Sequence, residues 1–203
     1  MNLRNIIMAI VLGVALSGGL FMAVQMNKPA ELVSAFKIPI PGELAEFSLL
    51  DQSGASVTAE TFKGQWDLVF FGFTNCPDVC PTTLQLLANV RQTLSDAGAD
   101  TVPRIVLVSV DPERDTPPLL GQYVDYFGEG NLGITGDLAE VRKLTAALGI
   151  FFEKSPADGD NYGVDHSAAV LLIDENGKFA ALFSGPHKVA DYLHDLPILM
   201  GTN

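Results

Sequence analysis

Cysteine is nearly missing from this 203-residue chain, with 2 copies, and histidine is hardly commoner, with 3. So few cysteines exclude a disulfide-stapled scaffold. The two present, Cys76 and Cys80, stand four apart and would close too small a loop to brace a fold of this size. Basic residues are also scarce, 12 Lys and Arg against 24 Asp and Glu, for a net charge of −12. That balance argues against a nucleic-acid partner, because phosphate binding needs clustered cations. It suits a soluble surface that repels its own copies. Internal repeats and low-complexity tracts are absent as well. The value of the cysteine pair must then lie in chemistry.

Charge is missing altogether from Ile6 to Val24, a run of 19 residues between Arg4 and Lys28. At about 1.5 Å per residue, a helix of that length just crosses a hydrocarbon core of about 30 Å. The run favours an uncleaved anchor over a cleaved signal sequence, because its apolar part continues past Ser17-Gly18-Gly19 and no small-x-small site follows. Arg4 on a tail of residues 1–5 would keep the N-terminus inside, so the remainder lies outside a bacterial inner membrane. Residues 25–41, with Pro29, Pro39 and Pro41, read as a linker, and residues 42–203 as one domain.

Within the domain, residues 66–73 (WDLVFFGF) form an apolar run expected of a strand buried on both faces. Leu84, Leu87, Val90 and Leu94 follow at helical spacing up to Gly98, with Pro81 in the first turn. Residues 104–110 predict a second buried strand and residues 117–127 a helix. Asp137 and Glu140 predict a capping box on a helix whose apolar face carries Val141 and Leu144. Asn176-Gly177 predicts a hairpin between residues 168–173 and 178–183, and residues 187–199 a last amphipathic helix. The order predicts an α/β domain with a central sheet and flanking helices, and delivers the cysteines to the C-terminal end of a central strand.

Cys76-Pro77-Asp78-Val79-Cys80-Pro81 is the sharpest feature. Residues four apart share one face of a helical turn, and a helix N-terminus favours thiolate, which is both nucleophile and metal ligand. This spacing does not decide between redox exchange and metal binding; a third ligand would. His166, in Asp165-His166-Ser167 ahead of a strand, is the best placed histidine. His187 in a turn and His194 on the last helix read as hydrogen-bonded or solvated side chains.

Four segments resemble the Sco/SenC family of copper-binding proteins: FGFTNCPDVCPTTL (71–84), VSVDPERDTP (108–117), GITG (133–136) and YGVDHSAAVLLIDENG (162–177). They run in family order across residues 42–200. The resemblance implies a thioredoxin-like fold behind an N-terminal transmembrane helix, with Cys76, Cys80 and His166 as copper ligands and Asp111 at an acidic position tied to the site's function. It implies a metallochaperone, not an enzyme, that assists assembly of the dinuclear copper centre of cytochrome c oxidase. Its partners would be the copper-bearing oxidase subunit, other copper carriers or thiol reductants. Asn75 departs from the family, many of whose members carry His there; the ligand set is untouched, but access to partners could differ. Asp111 could instead belong to a turn that caps the next helix, and Asp115 is the better capping candidate.

Two thiolates and an imidazole form a soft set suited to Cu(I), though zinc would also accept it. A metal-free thiol–disulfide oxidoreductase is the main rival. A thioredoxin-type enzyme would place Pro beside its cysteines, where this chain has Asp165-His166-Ser167. A peroxiredoxin would place Thr and Pro differently ahead of its cysteine.

Overall fold

The computed structural model describes residues 2–26, 31–155 and 162–202, in two units, Met1–Glu31 and Leu32–Asn203. The first unit is helix α1 (Leu3–Met26), long and apolar enough to cross a membrane. It overruns the apolar stretch 6–24 at both ends. Residues 27–30 of the expected linker lie outside the described residues.

The second unit begins earlier than expected. Strand β1 (Ala35–Glu43) occupies most of what reads as linker. Its prolines mislead because Pro is barred from central strands but tolerated on an edge, and β1 is the edge of the main sheet. The carboxylate of Asp195 holds its start, accepting the backbone N–H groups of Val33, Ser34 and Ala35 at 2.9, 2.9 and 2.7 Å.

A small hairpin follows, β2 (Leu49–Asp51) and β3 (Ser56–Val57). Then come β4 (Asp67–Gly72), α2 (Val79–Asp96), β5 (Arg104–Ser109), α3 (Pro117–Asp125), β6 (Leu132–Thr135) and α4 (Leu138–Ala147). Strands β4, β5 and β6 pair in parallel, as alternating strands and helices require. β7 (Phe152–Lys154) and β8 (Val164–His166) form a separate two-stranded ribbon. β9 (Val170–Ile173), β10 (Lys178–Phe183) and α5 (Val189–Met200) complete the chain. The main sheet runs β1-β10-β9-β4-β5-β6-β2-β3. This is the expected thioredoxin-like α/β architecture, enlarged by β1, β6 and the β7–β8 ribbon.

Burial explains the central strands. All six residues of β4 are buried, and Leu68, Phe70 and Phe71 have no exposed surface. Leu84, Leu87, Val90 and Leu94 face inward from α2 as their spacing requires. At α4 the side chain of Asp137 caps Ala139 N–H at 2.7 Å, but the capping box does not close. Glu140 accepts from Ser48 N–H at 2.9 Å instead, tying α4 to the approach to β2. Helix α5 runs through Pro197 to Met200 and closes on left-handed Gly201.

Candidate metal centre

Strand β4 carries the chain to the middle of the sheet and ends at Gly72. Phe73 to Asp78 turn, with Cys76 N–H bonded to Phe73 O at 3.3 Å, and α2 starts. The first N–H groups of a helix have no partner inside it. One of them, Cys80 N–H, donates to Cys76 Sγ at 3.4 Å, so the first cysteine serves the helix start as a sulfur cap. Cys80 lies inside the first turn and is wholly buried.

Gly72 makes room for it. A Cβ at this position would lie 2.9 Å from Cys80 Sγ and 2.9 Å from the Phe70 ring. A lone glycine in an apolar strand signals close approach, and that was the mark in the sequence by which Gly72 could have been found.

His166 arrives on β8, a short strand rather than the expected loop, where it pairs with Phe152. Its ring stands edge-on to Phe70 and Phe73, at centroid distances of 5.7 and 5.9 Å. Nδ1 lies 3.1 Å from Ser167 O. A carbonyl can only accept, so Nδ1 carries the proton and the Nε2 lone pair is free. Nε2 points at Cys80 Sγ, 3.4 Å away. The two sulfurs and an imidazole nitrogen lie within 4.8 Å of one another. Three ligands around one ion, each at about 2.3 Å, would stand about 4 Å apart, so a small contraction would let the set share a metal.

The electrostatics differ from the sequence expectation at one cysteine. Burial pushes the Cys80 thiol up, and the neighbouring Cys76 adds to this. The helix N-terminus does not offset that burial, so the Cys80 sulfur keeps its proton. Burial also lowers the pKa of His166, which keeps the imidazole in the neutral form that ligates.

Asp115 corrects a second expectation. Thr116 is the N-cap of α3, with no side-chain cap bond. The buried Asp115 carboxylate instead accepts from Thr74 N–H at 3.1 Å, Thr74 Oγ1 at 2.6 Å and Ser109 Oγ at 2.6 Å. It fastens the cysteine turn to the end of β5. Asp111 is no helix cap either, and it is not among the three grouped ligands. Its carboxylate pairs with Arg114 and accepts from Tyr162 Oη at 2.6 Å. The Arg114 guanidinium lies 3.8 Å from the Tyr162 ring centroid. Asp111 thus braces the segment that leads into β8 and His166. Asn75, the departure from the family pattern, is exposed at the mouth of the turn.

The other histidines stand apart from the group. His187 Nε2 bonds Ala168 O at 2.6 Å and its Nδ1 accepts from Tyr192 Oη at 2.9 Å. His194 Nδ1 pairs with Asp195 at 2.8 Å.

The SCO1/SenC family model matches residues 41–201. An SCO2-like protein of Rickettsia prowazekii is 34% identical over 186 residues, covering 88% of this chain and 87% of its own. The copper-bound crystal structure of ScoI from Arabidopsis thaliana superposes with a TM-score of 0.70 at 32% identity, covering 77% of this chain and 96% of that one. The solution structure of apo Sco1 from Thermus thermophilus gives a TM-score of 0.73 at 32% identity, over 84% of this chain and 98% of that one.

Proposed function

The chain belongs to the SCO1/SenC family, and from that premise we propose that Cys76, Cys80 and His166 hold one copper ion as cargo. The single observation that carries this reading is the convergence of two sulfurs and a neutral imidazole from residues 76, 80 and 166 to within 4.8 Å. The donor set fits copper: two soft sulfurs and one imidazole suit Cu(I). A bound cation would offset the cost of ionising a thiol as deeply buried as Cys80. A three-ligand set leaves a coordination position through which an incoming sulfur can exchange, as a carrier needs and a closed structural site does not.

In this reading the chain is a metallochaperone and performs no turnover. The recipient is the copper-bearing subunit of cytochrome c oxidase, the partner that the family resemblance implies. Helix α1 anchors the chain in a bacterial inner membrane with the domain on the outer side. Thiol–disulfide exchange with the recipient's cysteines is a second use of the same pair, favoured by Cys80 N–H seated on Cys76 Sγ. The buried, raised Cys80 thiol weighs against it as the main task, since attack needs an ionised and accessible sulfur.

The test is a competitive Cu(I) titration of the reduced, detergent-solubilised chain. One copper per chain is expected. Cys76→Ser and Cys80→Ser should each weaken binding by more than about 100-fold, since even indirect supports of a metal site are worth about 10–100-fold. His166→Ala should weaken it as well. Tight stoichiometric copper in either cysteine variant would refute the shared site.

A further inference from the structure

The three grouped ligands come from two parts of the fold. Cys76 and Cys80 belong to the passage from β4 into α2, and His166 stands on β8, 86 residues beyond Cys80. Strand β8 pairs with β7 in a ribbon that shares no backbone ladder with the main sheet. The sheet therefore fixes the cysteine turn directly, but not the imidazole. Side chains must hold the two parts in register.

Arg114 reaches both of them. It lies between β5 and α3, outside either part. Its Nε pairs with the wholly buried carboxylate of Asp111. Nη1 donates to the Tyr162 carbonyl at 3.0 Å, four residues ahead of His166. The guanidinium carbon Cζ lies 3.8 Å from the Tyr162 ring centroid and 5.7 Å from that of Phe73, both within cation–π range. Phe73 is buried in the cysteine turn, where its carbonyl takes Cys76 N–H at 3.3 Å and its ring stands edge-on to His166 at 5.9 Å. Tyr162 closes the circuit by donating its hydroxyl to Asp111 at 2.6 Å. A further tie, Lys154 to Glu113 at 2.6 Å, is exposed and adds little. The Arg114 side chain is only 23% exposed.

We infer that Arg114 is a positioning residue of the metal centre: it holds the segment that carries His166 against the cysteine turn, so that the imidazole is in place before copper arrives. The inference rests on the copper reading above. It requires no bond to break and no proton or electron to move. Lysine would not substitute. A flexible point charge could remain beside Asp111, but it lacks the planar fork that bonds Asp111 and the Tyr162 carbonyl together while stacking on the Tyr162 ring.

The experiment is a double-mutant cycle on the reduced, detergent-solubilised full chain, with Arg114→Lys, His166→Ala and the two combined. Each is titrated with Cu(I) against a competing chelator, and the Cu(II) forms are compared by electron paramagnetic resonance. Arg114→Lys should weaken Cu(I) binding by about 10–100-fold, the usual effect of losing an outer support of a metal ligand. Adding it to His166→Ala should change affinity by no more than about twofold, because the support acts through the imidazole. Nitrogen hyperfine coupling should weaken in Arg114→Lys while the sulfur-to-copper charge-transfer band persists. If thermal unfolding shows that Arg114→Lys does not fold, Tyr162→Leu carries the same comparison, since it removes the stacked ring and leaves the Arg114–Asp111 pair. Unchanged affinity in the single variant overturns the inference alone. So does a combined variant in which the two losses multiply, which would assign Arg114 to the cysteines or to general stability. An unaltered chain that takes up no copper, or one indifferent to His166→Ala, overturns the reading beneath it.

Discussion

Replacing Asp115 with Ala should cost the metal-free domain about 3 kcal/mol. The carboxylate is buried and accepts three hydrogen bonds. Thr74 is only partly buried, so its hydroxyl can turn to water. Its N–H and the Ser109 hydroxyl have no such recourse, and an abandoned buried donor costs about 1–3 kcal/mol. Two of them sum to about 4 kcal/mol at mid-range, and relief from desolvating a carboxylate returns about 1 kcal/mol. Against a typical domain stability of about 5–15 kcal/mol, the variant stays folded but is weakened. Asp115→Asn, which keeps one acceptor, should cost about half as much. Urea unfolding of the segment Leu32–Asn203 measures both. The pH dependence is a second readout. Burial raises the Asp115 pKa above 3.8. Between 3.8 and that raised value the folded chain binds a proton that the unfolded chain has released, so stability declines as pH rises through the window and is flat beyond it. Asp115→Asn should lose that decline. A loss under about 1 kcal/mol for Asp115→Ala would refute the claim that this carboxylate is an indispensable tie.

Two further outcomes follow from the same region. Gly72→Ala drives a Cβ to 2.9 Å from both Cys80 Sγ and the Phe70 ring; it should cost about 1–3 kcal/mol by overpacking and weaken Cu(I) binding, and unchanged affinity in the chelator assay would show that Cys80 is not confined by β4. His166 is held neutral in the folded chain at pH values where the unfolded chain is protonated. Metal-free stability should therefore be full above pH about 6.5 and fall as pH drops from there to the lowered folded value; thermal midpoints across that range should slope in the unaltered chain and lie flatter in His166→Ala.

The chemistry was more legible in the sequence than its supports. An apolar run followed by two cysteines and a Leu-rich helical stripe places β4, the turn and α2 without ambiguity, because burial on both faces and 3.6-residue spacing leave few alternatives. His166 was legible in part from its place ahead of a sheet strand, and its role as a ligand by resemblance, since a histidine among polar residues carries no period; the ribbon that fixes it depends on β7, three residues long. Strand β6 escaped because Leu132 to Thr135 is four residues with a glycine inside, short of any periodic signal. Strand β1 escaped because Pro39 and Pro41 argue against a strand until the edge position is known. Asp115 was placed one step wrong: an acid just before a proline-started helix matches a cap by local rules, and only the tertiary approach of Thr74 and Ser109 redirects it inward.

The grip of Asp195 on the backbone of Val33, Ser34 and Ala35 ties the first residues of the second unit to its last helix. Shortening either end would therefore loosen the other. Removal of α5 would strip three backbone N–H groups ahead of β1 of their acceptor, and a fragment begun at residue 42 would leave the fully buried Asp195 carboxylate without those three donors.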